Sequence, residues 1–128
     1  MNRERTSRGL ASLSLANDLT HIARAHSKDM LSRDFFGHYT PEGLAPLDRI
    51  KVAGVTRYNG SGENIITRSR HPHLTITAQL ADPLMDDWMN SRGHRANILS
   101  RDFQCVGVGA AADDTTILAT QLFGRVKE

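Results

Sequence analysis

The sequence predicts an α+β fold built as one domain. Three observations lead there. Apolar residues recur at helical spacing between Leu15 and Met30, glycine and proline punctuate the middle of the chain, and two apolar, β-like runs close it. Helices gathered early and a strand pair placed last make the α+β pattern rather than an alternating one. A chain of 128 residues has the size of one domain and can bury a core without staples. No repeat or low-complexity segment divides it, so residues 1–128 are read as a single unit.

Taken in order, the residues before Leu10 read as part of an earlier helix. "LANDLTHIARAHSKDMLSRD" is the first strong helix, with Leu15, Leu19, Ile22, His26 and Met30 on one face. On that stripe His26 reads as a hydrogen-bonded core histidine, and His21 lies off it, in solvent. "FFGHYTPEGLAP" is a loop marked by Gly37, Pro41, Gly43 and Pro46. "PLDRIKVAG" is a short helix, with Pro46 at its start and Gly54 at its stop. In "VTRYNGSGENII", Asn59-Gly60 is a turn dipeptide, followed by a short β-like stretch at Ile65 and Ile66. "RSRHPHLT" is a polar loop in which His71 and His73 flank Pro72, a spacing at which two imidazoles can share a metal. Asp82 and Pro83 form a cap-and-N1 start for the helix carrying Leu84 and Trp88, which can also extend back through "TAQLA". "CVGVGAAA" and "TILATQLF" form an antiparallel hairpin around "DDTT". Gly107 and Gly109 let another element pack closely there.

Composition excludes several classes. Hydrophobic residues make up 39% and charged residues 23%, with both signs mixed, which is globular and not disordered. The net charge of +2 is a mild excess, and no Lys/Arg run interleaved with aromatics accompanies it, so a nucleic-acid partner is not expected. The single cysteine, Cys105, rules out an internal disulfide and reads as a small buried apolar residue. No apolar run approaches the ~20 residues of a membrane helix. "MNRERTSRG" lacks the apolar centre of a signal peptide. The expectation is therefore a cytoplasmic chain or a domain excised from something larger.

The chemistry-bearing residues lie in three polar islands: "GHYTPEG" with His38, "GENI" with Glu63, and "SRGHRANIL" with His94. HExxH, GxSxG, GxxxxGK[ST] and paired CxxC motifs are absent. Two imidazoles and a carboxylate suit a divalent ion such as zinc, whose bound water would have a lowered pKa. Alternatively one histidine serves as a general base oriented by the carboxylate, or the three are separate turn residues. With separations of 63 − 38 = 25 and 94 − 63 = 31 residues, spacing does not choose among these.

The ordered set "FFGHYTPEG", "GENI", "WMNSRGHRANIL" and "VGVG" resembles the CAP superfamily of SCP-like domains, in its short, disulfide-free prokaryotic form. The likeness runs from about Asn2 to Phe123, with the first helix cut short. It implies an α-β-α sandwich, with a small antiparallel sheet between helical layers, and a cleft holding two histidines and two acidic residues. His38, Glu63 and His94 match three of these and become the candidate catalytic and metal-binding residues, with Zn2+ or another divalent ion as the cofactor. The second acid falls three residues after Trp88, where this chain has Ser91. Ser91 and Asp87 are the further cleft candidates: Asp87, four residues before Ser91 on the same helical face, either reaches the cleft as a compensating carboxylate or stands in solvent as an ordinary helix residue.

In "SRGHRANIL", Trp88 anchors the preceding helix, Ser91 and Gly93 end it, and His94 is aimed into the cleft. Arg95 and Asn97 hold the turn through backbone carbonyls, while Ile98 and Leu99 return to the core. Three functions follow from the resemblance: a secreted or cell-envelope domain binding a lipid, glycan or peptide through a metal-competent cleft; a metal-assisted hydrolase of peptide or cell-wall substrates; or a non-catalytic interaction module braced by the polar cluster. A monomer is expected in each.

Overall fold

The computed structural model describes residues 1–69 and 78–128, with the side chains of 78–83 outside that description. In chain order the elements are α1 (Asn2–Thr6), β1 (Ser14–Leu15), α2 (Asn17–Ser32), α3 (Pro46–Val52), β2 (Tyr58–Ser69), α4 (Ala78–Met89), α5 (Arg92–Ile98), β3 (Cys105–Ala112) and β4 (Thr116–Val126). The four strands form one sheet in the order β1-β3-β4-β2. β3 and β4 make the expected antiparallel hairpin, and β2 lies antiparallel to β4 along its outer side. The sheet is mixed rather than purely antiparallel, because β1 pairs with β3 in parallel.

Strand alternation sorts the core into two layers. One face carries Cys105, Leu122 and Tyr58, which pack with Leu19, Ile22 and Ala23 of α2 and Ile50 of α3. The other carries Val106, Ala119, Phe123 and Ile66, packed with Trp88 of α4 and Ile98 of α5. This is the three-layer α-β-α sandwich. The contact between α2 and β3 is unusually close. A Cβ on Gly107 would lie 2.1 Å from the Thr20 amide nitrogen, and one on Gly109 would lie 2.3 Å from that of Arg24. The two glycines therefore let a helix backbone rest directly on a strand.

Four local expectations change. Leu15 belongs to β1 and is 74% exposed, not part of the α2 face, because helix α2 begins two residues later. Asn59-Gly60 makes no turn: β2 runs straight through it, with a bulge between Tyr58 and Gly60, and the strand is twelve residues long instead of a short stretch. Arg68 and Ser69, read as loop, are the end of that strand. Helix α4 starts at Ala78 and passes through Pro83, so Asp82 is not its cap. His71 and His73 lie outside the described residues.

The amino-terminal helix is tied down by one buried guanidinium. Arg5 is 2% exposed and donates to the carbonyls of Ala11 (2.8 Å), Ile98 (2.9 Å) and Ser100 (2.7 Å). Two of those carbonyls lie at the C-terminal end of α5, where the helix leaves acceptors unpaired.

Candidate functional site

The site forms along β2, where the two helical layers come within reach of one another. Neighbouring residues on a strand point to opposite faces, so Glu63 and Asn64 serve different layers. Glu63 faces the α2–α3 side. Its side chain is 1% exposed, and both carboxylate oxygens accept from Arg49 Nη2, at 2.8 and 2.7 Å. His38 Nδ1 lies 2.9 Å from Glu63 Oε1, and His26 Nε2 lies 3.8 Å from the same oxygen. Arg49 also donates to the His38 carbonyl at 2.9 Å. One arginine thus holds both the carboxylate and the loop that presents His38.

Asn64 faces the other layer. Its Nδ2 donates to the His94 carbonyl (3.0 Å) and to Gln121 Oε1 (2.9 Å). Asn97 Nδ2 donates to Asn64 Oδ1 (2.8 Å) and to the Glu63 carbonyl (3.2 Å). Asn97 therefore secures the segment through a backbone carbonyl, as its position predicts, and Arg95 is exposed. Ser91 does more than end α4: it is the N-cap residue of α5, the helix that carries His94.

An open cleft of about 490 Å³ lies over this edge, lined by Phe36, His38, Ile65, Thr67, Arg68, Asp87, Ser91 and His94 among others. His38 and His94, from opposite layers, share it. Asp87 lies in the wall beside Ser91, and Arg68 Nη2 binds its carboxylate at 2.9 Å. Burial lowers the proton affinity of His94, and nearby His38 lowers it further. His26 is also held below the usual histidine range, chiefly by burial; Glu63 pulls it up and Arg49 pushes it down. Since Gly37 O takes the His26 Nε2 hydrogen bond at 2.9 Å, the neutral ring carries its proton there.

Glu63 thus stands behind His38 and not beside it. Its oxygens are committed to a guanidinium and an imidazole, so it orients His38 in the manner of a carboxylate supporting a ligating histidine. Among the described residues, no group of three His, Cys, Asp or Glu is placed to surround an ion. The cleft itself offers two imidazoles, His38 and His94, and not the His–Glu–His set expected from the sequence. Arg49 and the second role of His26 were missed in the sequence. An arginine on a short helix carries no signal that it will reach fourteen residues ahead, to Glu63.

Fold and cleft together define a small SCP-type sandwich with a two-histidine groove. Residues 1–123 match the family model described as "CAP: Cysteine-rich secretory protein family", and the chain belongs to that family. It is 36% identical over 124 residues to YkwD of Bacillus subtilis strain 168, covering 97% of this chain and 44% of that one. A crystal structure of an extracellular protein containing an SCP domain, from Bacillus anthracis, is similar at 31% identity and TM-score 0.79, over 97% of this chain and 37% of that one. An outer surface protein of Borrelia burgdorferi shares the fold, at 20% identity and TM-score 0.77, over 98% of this chain and 86% of that one. The chain spans less than half the length of YkwD and of the Bacillus anthracis protein. Among the described residues, no helix is long and apolar enough to cross a membrane.

Proposed function

We propose that this CAP domain works outside the cytoplasm as a ligand-binding domain whose cleft is keyed by His38 and His94. The observation that carries the reading is the His38–Glu63–Arg49 chain. A buried carboxylate fixes one imidazole by its Nδ1, leaving Nε2 for a ligand, in a groove that also contains the second imidazole. His38 and His94 would hold a divalent ion such as zinc, with Glu63 and Arg49 supporting His38 from behind. When bound, such an ion supplies a positive centre that polarises an oxygen of the ligand.

A hydrolase that uses Glu63 as its base and a purely structural cluster both lose support. Glu63 makes a poor general base, because Arg49 already neutralises it and water cannot reach it. A purely structural role for the cluster does not account for a His38 side chain left 46% exposed in an open groove. An extracytoplasmic location is supported by the Bacillus anthracis relative, which is described as extracellular.

The test is calorimetric titration with zinc of the wild type and of the His38→Ala/His94→Ala variant. Saturating heat in the wild type that disappears in the variant is the expected result. Equal heats from both would overturn the metal reading.

A further inference from the structure

Taking the cleft as the ligand site proposed above, we infer that its ligand is an oligosaccharide, with one sugar ring stacked on Phe36. The loop carrying His38 displays Phe36 at 51% exposure and Tyr39 at 66%. Its neighbour Phe35 does the opposite, turning inward against the His26 ring at 5.8 Å. The outward aromatics are not products of a slack loop. The Gly37 carbonyl is held by His26 and the His38 carbonyl by Arg49, each at 2.9 Å. Thr40 closes the far side through Leu44, at 3.0 and 3.1 Å. An aromatic ring displayed by a braced backbone at the wall of a groove offers a preorganised stacking surface, and preorganisation is what a weak, planar contact requires.

The rest of the wall selects the ligand class. A pyranose ring has C–H faces and a rim of hydroxyls, and it needs an aromatic face flanked by planar groups with paired donors and acceptors. The Arg68–Asp87 ion pair supplies both, and the Ser91 and Thr67 hydroxyls stand nearby.

An extended peptide fits less well, although β2 is the outermost strand of the sheet. Strand addition needs free carbonyls along that edge. Alternate carbonyls of β2 are already taken: Glu63 O by Asn97 Nδ2 (3.2 Å), Ile65 O by Trp88 Nε1 (3.3 Å) and Thr67 O by Arg68 Nη1 (2.9 Å). The edge is closed by side chains, in the way sheets guard against added strands.

The experiment titrates the full chain with chitotetraose, cellotetraose and tetra-alanine, by calorimetry and by amide chemical shifts, with and without EDTA. Wild type should bind at least one of the sugars saturably, with shifts clustered at Phe36, Thr67 and Asp87. Phe36→Ala and Asp87→Ala, both surface changes, should each weaken that binding at least tenfold with an unchanged circular dichroism spectrum. Binding of tetra-alanine alone, no binding of either sugar, or sugar binding unaffected by Phe36→Ala would each overturn the inference. Zinc binding without sugar binding defeats only this inference, whereas sugar binding in EDTA with no zinc binding defeats only the metal reading.

Discussion

Replacing Arg49 with methionine keeps the aliphatic stem and removes the cation that both oxygens of Glu63 lean on. The carboxylate is 1% exposed and its partner's side chain 8%, so water cannot take over the lost role. Breaking a buried pair by deleting one partner costs about 3–5 kcal/mol, because a charge is stranded, whereas an exposed pair is worth roughly 0–1 kcal/mol. His38 Nδ1 remains as a hydrogen-bond partner at 2.9 Å, which places the expected loss near the lower end, about 3 kcal/mol. In a domain of this size that lowers the melting temperature by roughly 10–15 °C. Adding Glu63→Gln should then restore part of the loss, since no charge is left stranded. The assay is thermal and urea unfolding of the wild type, both single variants and the double variant, read as a double-mutant cycle. A loss below about 1 kcal/mol for Arg49→Met, or strictly additive losses in the double variant, would refute a buried, charge-compensated Glu63.

Two further outcomes follow from the packing and the titrating groups. Gly109→Ala places a methyl 2.3 Å from the Arg24 backbone nitrogen, a contact that no rotamer change can relieve. It should cost at least the ~1–3 kcal/mol of ordinary overpacking, seen as a lower urea midpoint, while Gly93→Ala, with open space around it, should cost far less. His26 and His94 have proton affinities lowered in the folded state, so the unfolded chain binds more protons and stability falls with acid. Their contribution is complete above the unfolded value of about 6.5 and is lost as pH drops below it toward their folded values. Unfolding midpoints at pH 7.5 and 5.5 should therefore differ more in wild type than in His26→Gln; equal differences would show that His26 does not titrate as argued.

The large periodic features were legible in the sequence. The stripe Leu19, Ile22, His26 and Met30 turned inward because helical spacing fixes a face, and the closing hairpin formed where two β-like runs flank a polar tetrad. Gly107 and Gly109 gave their purpose away, since a strand that surrenders two side chains makes room for something. Asn59-Gly60 misled because the same dipeptide serves a tight turn or a bulge, and only the partner strand decides which. His38, Glu63 and His94 were visible as motif residues, but their geometry was not. Which oxygen meets which nitrogen depends on Arg49, and nothing local in "PLDRIKV" marks that residue. Strand alternation alone predicts that Glu63 and Asn64 serve opposite layers, once β2 is known to be a strand there.

Arg5 gives the domain a mechanical consequence. It fastens the fifth residue of the chain to carbonyls 93 and 95 positions away, at the foot of the helix that bears His94. Cutting that one guanidinium would free α1 and the foot of α5 from each other together, while Asn2 would still grip Leu13 beside β1 from both sides, at 3.1 and 2.8 Å.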